Sequence, residues 1–486
     1  MKNNYIYNIL KNIYLKNPLS TAIEIEDVKI NYKSFFEDCL NFASYINFNK
    51  YETIGIIGDY EYVNYIAIFG TLIAGKTYVP INQNLPIKKI KKILSVSKIK
   101  VLVISKIKEK KFKDINVKKI DYKSIIKKEK IINKKFTVSK NAYIIFTSGS
   151  TGQPKGVPIE RKSLFHYINW LKNNFAIKKN NRCSQFPNIG FDLSVVDIFA
   201  TICSGGTLVI PKNLFYRNFP AKFIKEKKIT HLVCVPSFVD IISNSLQINK
   251  ENLISLKKIF FCGEPLYEMQ LKKLFSVNKN LKIINAYGPT ETTVSCTKLN
   301  LNKNNFKKYC NGTASIGKSI KGMKIKLLKF SKNEEKNLEI LISGPQVFNG
   351  YLNNEKLSNK KFINIDDKIY FKTGDIVEVI NKNIYFKKRM DAQVKIKGYR
   401  VELDEIDGFI RKYGIQQTKT FYKNLKLISF IVYKKNLIPK LKKYLKLVLP
   451  VYMLPSDIIN LKSFPKNHND KIDIKKLENY LNIYEK

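Results

Sequence analysis

The chain has 486 residues, room for about two to four domains, and its 44% hydrophobic content excludes wholesale disorder. Its 87 basic and 39 acidic side chains leave a formal net charge of +48, a footprint shared with nucleic-acid binders. The lysines, however, are spread along the whole chain among Asn and Ile, as in residues 105–135, and no zinc-finger, RNA-recognition or basic-zipper pattern accompanies them, so they read as solvated faces. No apolar run reaches the length of a membrane span, about 18 residues. The N-terminal stretch "MKNNYIYNILKNIYLKNPLS" lacks the continuous apolar core of a signal peptide, so a cytoplasmic location without membrane insertion is expected.

From residue 50 onward, short β-rich runs alternate with helix-length segments. In chain order the strand candidates are "ETIGIIGD", "KVLVIS", "AYIIFTSGS", "HLVCVPSF", "KKIFFCGEP" and "KIINAYGPTE", with helical spacing over 58–74 and 266–276. That alternation predicts an α/β protein built on largely parallel sheets. Four of the runs pass directly into unusual loops, TSGSTG, VPSF, CGEP and AYGPTE. Open α/β sheets bind ligands beyond the C-terminal ends of their strands, so these loops are expected to gather around one cleft.

The cysteines at 39, 183, 203, 234, 262, 296 and 310 form no CxxC pair, which suggests neither a disulfide framework nor a zinc site. His166, His231 and His468 are too widely spaced to suggest a histidine metal centre or triad, and they read as packing or surface residues.

The loop at 147–156, "TSGSTGQPKG", matches neither the Walker pattern nor GxGxxG. Its composition still suits phosphate. Thr147, Ser148, Ser150 and Thr151 bring hydroxyl donors, Gly149 and Gly152 let backbone N–H groups turn inward, and Lys155 adds a cation.

"IIFTSGSTGQPKGV" resembles the phosphate loop of the adenylate-forming, AMP-binding enzymes. Six further stretches resemble that family in the same order: "AGKTYVPINQNLP" (74–86), "FDLSVVDIF" (191–199), "NAYGPTETTV" (285–294), "YFKTGDIV" (370–377), "KRMDAQVKIKGYRVELDEI" (388–406) and "KNHNDKID" (466–473). The resemblance implies a large N-terminal domain, 1–389, of mostly parallel sheets flanked by helices. It also implies a small mobile α+β lid, 390–486, with Asp391 at the hinge.

The roles it implies follow residue by residue. Thr147, Ser148, Gly149, Ser150, Thr151, Gly152 and Lys155 would hold the β- and γ-phosphates of ATP. Tyr287 would stack on adenine, with Asn285 and Gly288 near its edge. Thr290 would contact the α-phosphate and Glu291 would hold Mg²⁺. Asp375 and Arg389 would serve the ribose, although Asp375 also reads as a simple turn aspartate. Lys471 would be the catalytic lysine for adenylation, after which lid rotation would bring the loop around Lys397 and Gly398 to the thiol channel. The family usually has glycine where this chain has Asp470, which sets an acidic neighbour beside that lysine.

Asp192 matches the position that binds the α-ammonium group in amino-acid-activating members, its alternative being a cap for the helix that follows. "FDLSVVDIF", "VPSFVDI" and "FFCGEPL" resemble the branch that activates D-alanine for a carrier protein. There Cys262 and Val294 would line a small pocket, Cys262 being otherwise a small buried hydrophobe. The chain runs only about 15 residues past Lys471, so the expected acceptor is a separate carrier bearing a phosphopantetheine thiol, toward which the positive charge would steer an acidic partner. The same chemistry on another amino acid or small carboxylate, for a secondary metabolite or surface glycan, stays open, and a non-catalytic nucleic-acid binder is the remote alternative.

Overall fold

The computed structural model describes residues 4–58, 60–104, 112–120, 138–149, 153–329, 337–396, 398–433, 437–465 and 472–484. The chain divides into two compact units. The first comprises 1–83, 93–146 and 156–390, and the second 84–92, 147–155 and 391–486.

Two α/β sheets dominate the first unit. One has nine strands, and its six central strands run in parallel in the order Lys282–Tyr287, Lys258–Phe261, His231–Cys234, Arg182–Ser184, Thr207–Ile210, Thr21–Ile25. The other places Thr53–Ile57 between Val101–Val103 and Thr77–Ile81, with Asn141–Thr147 beyond, again in parallel. Strands such as Thr53–Ile57 and Lys258–Phe261 are near-continuous apolar runs because a parallel sheet is covered on both faces. The expected helical segments appear as Tyr62–Ile73 and Glu268–Val277. The first of these is buried nearly all round, as its uninterrupted apolar sequence requires.

A third sheet departs from the parallel rule. Strands Lys324–Lys329, Leu338–Ser343, Phe362–Ile365, Lys368–Ile380 and Asn383–Arg389 pair antiparallel throughout. Two of their connections are two-residue turns, Asp366–Asp367 and Asn381–Lys382, with φ of 51°, 55°, 49° and 62°. Positive φ at both central residues matches the twist of antiparallel strands, and Asp and Asn tolerate it best among non-glycine residues.

The three strands ending at Cys234, Phe261 and Tyr287 are neighbours in the nine-stranded sheet, so the VPSF, CGEP and YGPTE loops emerge side by side at one end of it. The fourth loop, 147–155, belongs to the second unit. That unit is α+β. The hairpin Gln393–Ile396/Tyr399–Glu402 and the sheet of Thr418–Lys423, Lys426–Val432 and Asp457–Leu461 accompany helices Leu403–Lys412, Ile438–Val448 and Ile474–Tyr484. Among the described residues, no helix is long and apolar enough to cross a membrane.

The described cysteines are all free, and no group of three or more His, Cys, Asp or Glu stands ready for a metal among the described residues. His231 packs edge-on against Phe175 at 5.0 Å. Burial, reinforced by Lys258 and Lys257, pulls its imidazole from the ordinary 6.5 down to about 3. The unfolded chain therefore takes up a proton at His231 as pH falls through 6.5, while the folded chain does so only near pH 3. Stability should fall with pH across that window, and His231→Gln should flatten the slope, as read by denaturant midpoints at pH 7.5 and pH 5.

Candidate active site

The strand Lys282–Tyr287 delivers Asn285 and Tyr287, and the turn after it delivers Gly288, Thr290 and Glu291. Asn285 is buried and donates from Nδ2 to the Ser315 carbonyl at 2.9 Å. Tyr287 Oη donates to Asp375 Oδ2 at 2.5 Å, and Arg389 bridges to Asp375 Oδ1 at 2.5 Å. Arg389 also donates to the Thr373 carbonyl at 2.9 Å, and the Asp375 N–H is held by Thr373 Oγ1 at 3.0 Å. The antiparallel pairing of Lys368–Ile380 with Asn383–Arg389 sets Asp375 opposite Arg389. Asp375 is thus a buried, doubly hydrogen-bonded carboxylate and more than a turn residue. Burial, and then Asp375, push the Tyr287 hydroxyl well above its ordinary value, so it remains a donor.

The turn is tightly built. A Cβ at Gly288 would lie 2.6 Å from Ser295 Cα and 2.9 Å from the Val294 carbonyl oxygen, so only glycine fits. Thr293 and Val294 adopt left-handed φ of 57° and 71°, unusual for β-branched residues and maintained only where the surroundings over-determine the backbone. Gln346 supplies that constraint. Its Nε2 donates to the Thr292 and Ser295 carbonyls at 3.1 and 2.8 Å, and its own carbonyl accepts from Thr293 Oγ1 at 2.7 Å. His166 Nδ1 in turn meets Gln346 Oε1 at 2.9 Å. Glu291 is 1% exposed and accepts from Tyr351 Oη at 2.7 Å.

The residues expected at the amino acid converge next to this turn. Cys262, directly after strand Lys258–Phe261, is buried, and its Sγ approaches the carbonyl of buried Val294 at 3.8 Å. Tyr167 Oη shares a 2.8 Å hydrogen bond with Ser295 Oγ. Asp192 is half-buried and precedes helix Ser194–Ile202, whose N-cap is Leu193 with no side-chain cap bond. Burial, then the Asp192 charge among other neighbours, raise the hydroxyls of Tyr143 and Tyr167. Tyr143 Oη is buried with no hydrogen-bond partner among the described residues.

In the second unit, Ser148 Oγ donates to the Arg400 carbonyl at 2.6 Å, and Lys155 Nζ pairs with Glu402 Oε1 at 2.9 Å. Lys89 pairs with Glu405 at 2.8 Å, so the short segments 84–92 and 147–155 are tied to the hairpin and helix that follow residue 391. A Cβ at Gly149 would collide with the Gln153 carbonyl oxygen. Thr147 Oγ1 is buried without a partner among the described residues, an orphaned donor of the kind a phosphate oxygen would satisfy. Asp391 is exposed, accepts from the Gln393 N–H at 3.3 Å, and is the first residue of its segment. Gly398 has φ of 81°. Ser150, Thr151, Gly152, Lys397, His468, Asp470 and Lys471 lie outside the described residues.

Gln346, Tyr351, Tyr143 and Tyr167 escape a motif reading. The first two sit in "ISGPQVFNGY", where an apolar strand runs into a Gly/Pro-punctuated loop, the same signal carried by the four loops above.

Residues 14–352 match the family of AMP-binding enzymes. A D-alanine–D-alanyl carrier protein ligase of Bacillus cytotoxicus is 30% identical, covering 95% of this chain and 96% of the relative. One from Listeria monocytogenes is 28% identical, with 96% and 97% covered. A solved adenylation domain of Vibrio cholerae superposes with a TM-score of 0.85 at 22% identity, over 99% of this chain and 98% of that one.

Proposed function

The chain belongs to the AMP-binding enzymes, and from that premise we propose that it adenylates D-alanine and passes it to the phosphopantetheine thiol of a separate carrier protein. The observation that carries this reading is a juxtaposition. Adjacent strand ends of one sheet set Tyr287, bonded to Asp375 of the antiparallel sheet, beside Cys262, whose Sγ approaches the Val294 carbonyl. Relatives bearing the D-alanine ligase name over nearly their whole length support it.

In the first step a substrate carboxylate oxygen bonds to the α-phosphorus of ATP, the bond to the bridging oxygen breaks, and pyrophosphate leaves. Thr147, Ser148, Gly149, Ser150, Thr151, Gly152 and Lys155 take the departing phosphates. Tyr287 covers adenine beside Asn285 and Gly288, Asp375 and Arg389 hold the ribose, and Thr290 meets the α-phosphate. Asp192 pairs with the ammonium group, while Cys262 and Val294 limit the side chain to a methyl. Lys471 supplies positive charge where charge accumulates. In the second step the carrier thiol gives up its proton to solvent and attacks the acyl carbon. The C–S bond forms, the acyl C–O bond to phosphate breaks, and AMP leaves with the electron pair. Residues 1–389 and 390–486 act as body and lid about Asp391. The need for ATP is what supports a cytoplasmic location for the reaction.

The buried carboxylate of Glu291 fits Mg²⁺, which takes one or two protein carboxylates together with substrate phosphates and water. When bound, the ion would offset phosphate charge in the transition state.

ATP–pyrophosphate exchange across D- and L-amino acids, glycine and simple carboxylates tests the reading. Exchange dependent on D-alanine is expected. Exchange with another substrate overturns the substrate assignment. No exchange, together with tight salt-sensitive RNA binding, overturns the enzyme.

A further inference from the structure

We propose that Tyr351 is a positioning residue for adenylation, its hydroxyl holding the Glu291 carboxylate in the orientation that serves the phosphate end of the nucleotide. This rests on the reading of Glu291 as the magnesium-binding carboxylate.

Glu291 is 1% exposed and Tyr351 5% exposed, and Tyr351 Oη lies 2.7 Å from Glu291 Oε1. A carboxylate's terminal torsion is broad and roughly two-fold, so a buried glutamate without a donor does not hold one orientation. The Tyr351 hydroxyl on Oε1 narrows that freedom. The type of donor matters. A tyrosine hydroxyl donates a hydrogen bond without adding a positive charge of its own, which Arg or Lys would bring.

Tyr351 is itself fixed at several points. Its N–H donates to Ser358 Oγ at 2.9 Å, and Ser358 Oγ donates to the Asn354 carbonyl at 2.7 Å. Its ring meets Phe348 edge-on at 4.9 Å. Phe348 N–H donates to the Glu291 carbonyl at 2.8 Å, so the segment around 348–358 grips Glu291 by backbone and side chain together. Gly350, at φ of 132°, allows the bend between the two contacts. Sixty residues separate the partners in sequence.

Groups that orient a metal's ligand are typically worth about 10–100-fold in metal affinity. In Tyr351→Phe, the affinity of the enzyme–ATP complex for magnesium, read by calorimetry without amino acid, should therefore fall at least about 10-fold, and the magnesium concentration giving half-maximal ATP–pyrophosphate exchange should rise with it. The KM for ATP at saturating magnesium should stay close to that of the parent. Transfer of the aminoacyl group from supplied adenylate to the carrier thiol should be unchanged. Because a packing defect could mimic a loss of rate, Tyr351→Phe is also placed on Glu291→Gln. If Tyr351 acts through Glu291, the second substitution adds nothing to the magnesium shift. An unchanged magnesium requirement in Tyr351→Phe, or an additive shift in the double variant, overturns the proposal. An unchanged requirement in Glu291→Gln overturns the Glu291 reading beneath it, so the two failures are distinguishable.

Discussion

Alanine at position 471 is expected to slow ATP–pyrophosphate exchange by about 10²–10³-fold, the range for removing one preorganised charge-stabilising group. The reaction joins two anions, a carboxylate and a triphosphate, and negative charge gathers on the α-phosphate oxygens and the departing pyrophosphate. A positioned ammonium gains in the transition state relative to the ground state, so its removal lowers kcat more than it raises KM. Transfer of the acyl group from supplied adenylate should be far less affected, because a thiol attacks a carbonyl there and no phosphate bond to pyrophosphate is broken. The contrast between the two half-reactions separates a catalytic lysine from one of the many solvated lysines. Unchanged exchange in Lys471→Ala removes the assignment.

Asp192→Asn should cost about 10²-fold in kcat/KM for D-alanine, since truncating one member of a close charge pair costs about 2–5 kcal/mol. Asp192 is half-buried and its charge is felt by the buried Tyr143 and Tyr167 hydroxyls, and a pair removed in part from water is stronger than one at an open surface. The loss should follow the ammonium group. Propionate, which keeps the methyl and carboxylate of alanine but lacks the amine, should react no worse with the variant than with the parent. An equal loss for both substrates would mean that Asp192 acts through the fold, and an unaltered rate with D-alanine would remove it from the substrate site.

Much of this architecture is readable along the chain. Strand Lys258–Phe261 and helix Tyr62–Ile73 follow from apolar runs of the right length and punctuation, and the three loops after Cys234, Phe261 and Tyr287 do lie side by side. The sheets are largely parallel, as expected, and residues 324–389 are the antiparallel exception, two of whose connections are the two-residue turns at 366–367 and 381–382. Those turns carry Asp-Asp and Asn-Lys, pairs without the glycine that usually marks such a hairpin.

What local pattern settles here is the element type and the chemical character of each loop. Periodicity, turn residues and hydroxyl-rich runs act over a few positions, and the hydroxyls and glycines of 147–152 have a composition that suits phosphate. Which partner each buried charge receives belongs to the folded chain. Asp375 meets Tyr287 and Arg389, Glu291 meets Tyr351, and Gln346 clasps the Thr292–Ser295 turn, across separations of 14 to 88 residues. A buried carboxylate is satisfied by whichever donor core packing brings within about 3 Å, and no short-range pattern encodes that meeting. The same holds for Lys155, which reads along the chain as the cation closing a phosphate loop and in the fold shares its charge with Glu402.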